Sequence, residues 1–442
     1  MRAFNLGIAV AALVGALAAA PARASSRVDF DNETPSAREL VSSARRMVRA
    51  DKGEEPAGAA LGAQAVDDQV ERRIVVFQKG TDQTQRLNMV RSLGGVPTKN
   101  LWLVNAVAVV APKSRMAAFD SKAKGLGDIL RVERDYIQNW LVGAPAALPP
   151  AARALPMPRA AEEPAEGTEP EPQGQTVPWG IDRVHAKQAW EVTRGAGVKV
   201  AIVDTGVDMD HPDLKLAGGF NAIDNAVSYK DDHGHGTHVA GTVAGQDNDQ
   251  DVVGIAPDVA LYGVKVLSGS GSGTFADVIA GIQWTVENKM DVANFSLGAG
   301  SGTEALQDAV KAAAAAGVAI IAAAGNSGGS VGFPGAYPEV ICIAASDSSD
   351  KVASFSSRGP EVDFIAPGVG VNSTKLGGGT TKMSGTSMAT PHVAGLAALA
   401  VARGARGVEA VRKALAAAAG TFPDVPAEQQ GGGMIDAGRL VR

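Results

Sequence analysis

Five short, mostly apolar runs, 198–203, 260–266, 292–296, 318–322 and 340–344, recur along the second half of this chain, with longer stretches of helical character between them. Runs of this length without polar alternation describe strands buried on both faces, and such strands need helices over both faces of a parallel sheet. The segments 238–245, 274–289, 303–316 and 387–403 read as those crossovers. The expected class is therefore α/β, a doubly wound and mostly parallel sheet, with ligand chemistry at the carboxyl ends of its strands.

A smaller unit precedes it. Residues 1–24 read as a signal peptide: Arg2 supplies a basic start, 6–20 an apolar run, and Ala22-Arg23-Ala24 a cleavage site. Those fifteen apolar residues fall short of the roughly 20 that span a bilayer, so the expected product is secreted and has no membrane anchor. Residues 25–72 are polar and without period, a flexible leader. Over 73–142 the pattern becomes strand 74–77, helix 81–93 closed by Gly94-Gly95, strands within 101–111, helix 116–130 and a last strand 131–141. That order is β-α-β-β-α-β, a small ferredoxin-like α+β layer. A stretch rich in Ala, Pro and Glu follows at 143–173 and reads as a linker to the main domain, 174–442.

Composition removes several function classes. Lys+Arg 41 against Asp+Glu 47 leaves a net charge of -6, so no global basic surface is offered to nucleic acid. One cysteine, Cys342, excludes an intrachain disulfide and a thiolate metal cluster, and its apolar surroundings place it in the core.

Three strings carry chemistry. Val203-Asp204-Thr205-Gly206 puts a carboxylate directly after an apolar run; taken alone it reads better as a turn Asp beside a glycine. His233-Gly234-His235-Gly236-Thr237-His238 opens a helix with an imidazole flanked by glycines; three close histidines also raise zinc, but no HExxH pattern or partner cysteine accompanies them. Gly385-Thr386-Ser387-Met388-Ala389-Thr390-Pro391-His392-Val393-Ala394-Gly395 sets a serine at a helix start among small residues.

In this order the strings resemble the three signatures of the subtilisin-like serine proteases, from Gln175 to the C-terminus. The resemblance implies Asp204, His235 and Ser387 as a catalytic triad. A serine hydroxyl is a weak nucleophile at neutral pH and needs an adjacent base, which His235 would supply, with Asp204 holding the imidazole in one tautomer. The oxyanion formed on attack needs fixed donors, and Asn326, after the run 318–322, offers its side-chain amide beside the Ser387 N–H.

Further residues follow from the same resemblance. Gly271, Ser272 and Gly273 on one side, with Ser296, Leu297 and Gly298 on the other, match segments that sandwich a peptide as an added strand. Gly325 and Gly332 match the pocket for the cleaved residue, where no carboxylate is present to select basic side chains. Large apolar residues are therefore expected at the cleaved position, with Phe275 and Val278 lining a second apolar pocket three residues upstream. Gln175, Asp213, Gln246, Asn248, Gln250 and Val252 match a structural Ca2+ site, whereas an EF-hand reading fails because Val252 stands where glycine is required. Residues 73–141 match an inhibitory propeptide, with first self-cleavage after Leu141 and later trimming in the linker. Two rivals remain: a silent binding protein on the same fold, and an esterase, for which the Gly-x-Ser-x-Gly elbow is missing around Ser387.

Overall fold

The computed structural model describes residues 70–141 and 174–442. The expected signal peptide, most of the leader and the linker 143–173 lie outside the described residues. All described residues fall in one compact unit.

The first segment is a four-stranded antiparallel sheet of β1 (Val70–Phe77), β2 (Val96–Leu101), β3 (Ala106–Pro112) and β4 (Ile129–Arg134), in the order β2-β3-β1-β4. Helices Gln83–Ser92 and Lys113–Lys124 connect its strands. Asp82 and Gln85 start the first helix with a reciprocal capping box, which satisfies two otherwise orphaned donors. Every residue of β3 is buried, because both faces of this sheet are covered.

Four boundaries differ from the sequence reading, the first being β2, which ends at Leu101, where the expected strands 101–111 begin. The sheet begins at Val70, so the last three residues assigned to the leader belong to β1. The second helix occupies 113–124 instead of 116–130, ending at Gly125. The expected strand 131–141 is broken: β4 stops at Arg134, and β5 (Ile137–Asn139) leaves the sheet to pair antiparallel with β9 (Ser272–Thr274). The break has a physical cause, since Glu133 and Asp135 at that point turn to the amino ends of two helices in the larger region. Ala305 N–H donates to both Glu133 oxygens at 3.1 Å, and Ala276 N–H donates to Asp135 Oδ1 at 3.0 Å.

The larger region is built on a seven-stranded sheet of β6 (Lys199–Asp204), β7 (Leu216–Asn221), β8 (Ala260–Lys265), β10 (Val292–Phe295), β11 (Ala319–Ala323), β12 (Ile341–Ser346) and β13 (Val362–Pro367). The order is β13-β12-β11-β10-β6-β8-β7 and every neighbouring pair is parallel. Five strands fall where the apolar runs predict them. The two edge strands, β7 and β13, were not anticipated, because Leu-Ala-Gly-Gly-Phe-Asn and the Asp-interrupted run at 362–367 lack a continuous apolar stretch.

From β6 the chain crosses to the edge strand β7 and returns to β8 between them, whereas from β10 it runs outward strand by strand to the other edge, so the direction of winding reverses between β6 and β10. Their carboxyl ends form the crevice where α/β sheets place ligands. Helices His235–Ala244 and Thr386–Ala402 share an apolar cluster with one face of the sheet through Val239, Val243, Leu396 and Ala397. Helices Phe275–Glu287 and Glu304–Ala315 cover the other face, in a cluster that also takes in Ile74, Leu101 and Ala106 of the small sheet. Cys342 is fully buried in the first cluster, and burial raises its thiol well above the ordinary range, as a core residue requires.

Candidate active site

Asp204 is the last residue of β6 and is completely buried. His235 is the first residue of its helix, and its Nδ1 lies 2.8 Å from Asp204 Oδ1. The Thr205 N–H donates to the same oxygen at 2.7 Å, which holds the carboxylate's orientation. Glycine is needed at 236 because a Cβ there would collide with the Gly206 carbonyl oxygen and stand 3.1 Å from Asp204 Cβ. Burial pushes the His235 imidazolium down, but the Asp204 charge and hydrogen bond, joined by Asp231, more than reverse this and hold it above the ordinary histidine value.

Ser387 sits at the buried amino end of helix Thr386–Ala402, where its N–H is one of the four groups that have no carbonyl a turn earlier to accept them. Its Oγ donates to the Ser296 carbonyl at 3.1 Å, and Ser296 Oγ donates back to the Ser387 carbonyl at 2.7 Å. Asn294 Nδ2 completes this lattice by donating to Ser296 Oγ at 2.9 Å. Asn326 follows β11 and accepts on Oδ1 from Thr386 N–H at 2.9 Å and from Thr386 Oγ at 3.0 Å. Because a backbone N–H faces one end of that amide, that end is the oxygen, and Nδ2 is the end left to serve another acceptor.

A groove runs between β9 and the segment 296–298, and residues 137–141 lie along it. Gln138 pairs with Gly273 and Asn139 with Ser272. Trp140 is bracketed from both sides: its N–H donates to Gly271 O at 3.0 Å, and Gly298 N–H donates to its carbonyl at 2.8 Å. The indole is 1% exposed and meets the Phe275 ring edge-on at 5.0 Å, in the cluster that contains Val278 and Leu297. Leu141 is half-buried against Gly271, where an added Cβ would come within 2.8 Å of its Cδ1. The two other pocket candidates, Gly325 and Gly332, lie in the loop after β11, where Gly325 N–H donates to Thr386 Oγ at 3.1 Å and Gly332 N–H to Ala324 O at 2.9 Å.

The predicted metal residues converge in part. Asp213 is fully buried; its Oδ2 accepts from Val252 N–H at 3.2 Å, and its Oδ1 has no hydrogen-bond partner. Burial pushes this carboxyl up to about 7, against the Val252 N–H that favours its charge. The Gln175 amide faces the main-chain carbonyls of Gln246 and Val252. Asn248 Oδ1 accepts from Gln250 N–H at 3.0 Å, while the Gln246 side chain turns away to Ala244 O and Pro257 O. The donors are all oxygens, one carboxylate with amides and carbonyls, and an orphaned buried oxygen faces them, which fits a hard cation such as calcium.

The three histidines near 235 do not converge. His238 Nε2 lies 3.0 Å from Val371 O and 3.1 Å from Thr381 O, and burial lowers its ring to about 3. His233 stacks edge-on to His235 with ring centres 6.3 Å apart. Sequence reasoning passed over Trp140 and Asp231 and met 132–135 only as part of the propeptide resemblance, without a role for Glu133 or Asp135; the partners of Glu133, Asp135 and Trp140 lie far along the chain, and Asp231 is joined to the Asp204 turn only through Thr205.

The Subtilase family description, Peptidase S8, matches residues 195–433 and leaves the small sheet outside. Among curated proteins, Subtilisin DY of Bacillus licheniformis is 49% identical over 235 residues, 52% of this chain and 86% of that protein. Alkaline elastase YaB of Bacillus sp. (strain YaB) is 49% identical over 227 residues, 51% of this chain and 60% of that protein. Thermostable alkaline protease of Halalkalibacterium halodurans is 49% identical over 231 residues, 52% of this chain and 64% of that protein. The chain belongs to the subtilase family. It is a serine endopeptidase of the subtilisin type.

Proposed function

We propose that this chain is a secreted, calcium-stabilised endopeptidase made as a zymogen, which hydrolyses peptide bonds through Asp204, His235 and Ser387. The observation that carries the reading is the 2.8 Å pair of His235 Nδ1 with Asp204 Oδ1 at the carboxyl end of β6, in the crevice where the sheet order reverses. Catalysis begins when the Ser387 hydroxyl leaves the Ser296 carbonyl and turns to His235 Nε2, which takes its proton as Oγ attacks the substrate carbonyl carbon. The negative oxygen is received by Asn326 Nδ2 and the Ser387 N–H, both fixed before the reaction. His235 then protonates the leaving amine, and water repeats the sequence on the acyl-enzyme.

Substrate would lie as residues 137–141 do, an added strand between Gly271–Gly273 and Ser296–Gly298. Backbone bonding of this kind tolerates many sequences and leaves selection to pockets. The pocket of Phe275 and Val278 accepts a large ring in this structure, and the glycines 325 and 332 bring no charge to the other pocket, so large apolar residues are favoured at the cleaved position. Residues 70–141 would serve as the intramolecular inhibitor; because Trp140 fills the pocket of Phe275 and Val278, which is expected three residues upstream of the cleaved position, first cleavage would fall near residue 143 in place of the expected Leu141. Gln175, Asp213, Asn248 and the carbonyls of Gln246, Gln250 and Val252 would hold a calcium ion, whose charge there supplies stability and takes no part in bond cleavage.

The test is to produce the chain from residue 25 in calcium buffer, as wild type and as Ser387→Ala, following chain mass and hydrolysis of a peptide anilide ending in Phe. Loss of the prosegment and cleavage by wild type alone is the expected result. Both proteins remaining intact and inactive, even after an added protease removes the small domain, overturns the reading in favour of a silent binding protein.

A further inference from the structure

Asp231 stands in the loop before His235, buried, and its carboxylate receives five donors. Oδ1 accepts from Thr205 Oγ at 2.9 Å, His233 N–H at 2.9 Å and Gly234 N–H at 3.0 Å. Oδ2 accepts from Thr237 Oγ at 2.6 Å and Thr237 N–H at 2.9 Å. Thr205 is the chain neighbour of Asp204, and 233, 234 and 237 enclose His235. Thr205 Oγ also accepts from Gly236 N–H at 3.0 Å, so one hydroxyl joins both strings.

From this geometry we propose that Asp231 is a positioning residue for the reaction: it clamps the Asp204 turn to the His235 turn and stands as a second fixed negative charge beside the imidazolium. Burial alone would protonate such a carboxyl, but the converging N–H and O–H groups hold it well into the ionised range. The proposal rests on the protease reading for its kinetic meaning and on geometry for the rest.

The charged and titratable groups facing this region come from four directions. Asp204 closes β6, His233, Asp231 and Asp232 lie in the preceding loop, and His238 follows on the same helix. Lys265 on β8 donates to Thr205 O at 2.6 Å, Leu267 O at 2.8 Å and Asp232 Oδ1 at 2.6 Å. Lys265 is thus neutralised by Asp232, and His238 is uncharged by burial. Asp204 and Asp231 are the two anions whose charge favours the His235 imidazolium.

The experiment compares Asp231→Asn with the unaltered residue in the full chain carrying Ser387→Ala, reading the His235 ring by NMR against pH. Removing the second negative charge disfavours the imidazolium, so the His235 midpoint is expected to fall by about half a pH unit or more. In chains with Ser387 intact, the acid limb of kcat/KM should move down with it. A merely structural Asp231 would lower the folded fraction and leave both midpoints in place, and an unmoved midpoint overturns the electrostatic claim.

Thr205→Val keeps the charge and cuts the tether. Here kcat is expected to fall roughly tenfold with KM unchanged, and an unaltered kcat overturns the positioning claim, which this variant decides even if Asp231→Asn does not fold. A wild-type chain that hydrolyses no peptide would remove the proposed function while leaving the NMR comparison to decide the charge effect.

Discussion

The Trp140 indole N–H donates to the Gly273 carbonyl at 3.0 Å, so the side chain of the tail and the backbone of the groove are locked by the same residue that the groove brackets on both sides. A buried tryptophan with a satisfied N–H contributes both area and direction. Trp140→Ala in the full chain carrying Ser387→Ala should destabilise the docked small domain by about 3–5 kcal/mol, the range for truncating a buried aromatic. Denaturant unfolding checks this, and limited proteolysis should cut the variant within 70–141 first. Equal stability of the two proteins would mean that the indole contributes nothing to the hold.

Asp135, just after β4 of the small sheet, caps Ala276 of the larger region, and burial together with nearby Asp277 pushes its carboxyl up to about 7. Lys99 bonds Asp277 at 3.1 Å and relieves part of the repulsion. A carboxyl whose value is raised on docking contributes most when protonated, so its share of the hold is full below about 4 and is lost as pH rises through about 7. The small domain should therefore be released more readily at pH 8 than at pH 5, and Asp135→Asn should flatten that dependence. Stability of the Ser387→Ala chain across this range is the measurement.

Asn326→Ala would leave the Asp204–His235 pair untouched and remove one oxyanion donor. The expected loss is on the order of a hundredfold to a thousandfold in kcat, as known for an oxyanion asparagine in this family, with KM little changed. Kinetics on the peptide anilide check it, and a comparable rise in KM would instead mark Asn326 as a substrate-binding residue.

Chelation tests the loop at 246–252. With the Asp213 oxygen orphaned, removing calcium from the wild type should lower Tm, and restoring calcium should recover it by mass action. Asp213→Asn should melt at a lower temperature in calcium and respond much less to chelator. A variant that responds as strongly as wild type would place the ion elsewhere.

The parts of this molecule that announced themselves in its sequence are those whose constraints are local. Asp204 closes an apolar run, His235 stands between two glycines, and Ser387 opens a helix of small residues, so each carried its geometry with it. β7 escaped notice because Gly218 and Gly219 break its apolar run, although the neighbouring β8 supplies the pairing that makes it a strand. The single strand expected over 131–141 failed for a related reason: Glu133 and Asp135 have partners at Ala305 and Ala276, and no pattern within the strand signals a carboxylate wanted elsewhere. Asp231 looks like any turn aspartate until Thr205 is brought beside it.

A sheet whose every neighbouring pair is parallel contains no hairpin, and this affects how the chain reaches its structure. Lys199 must find Ala260, and Val200 must find Val292, before the central strands pair at all. Such closures lose chain entropy before any contact repays it, the signature of high contact order and a slow search. The small sheet instead joins β2 to β3 within a few residues and can form early. Its residues Ile74, Leu101 and Ala106 share an apolar cluster with helices Phe275–Glu287 and Glu304–Ala315, so the part of the molecule with the most local pairing packs against the part with the least.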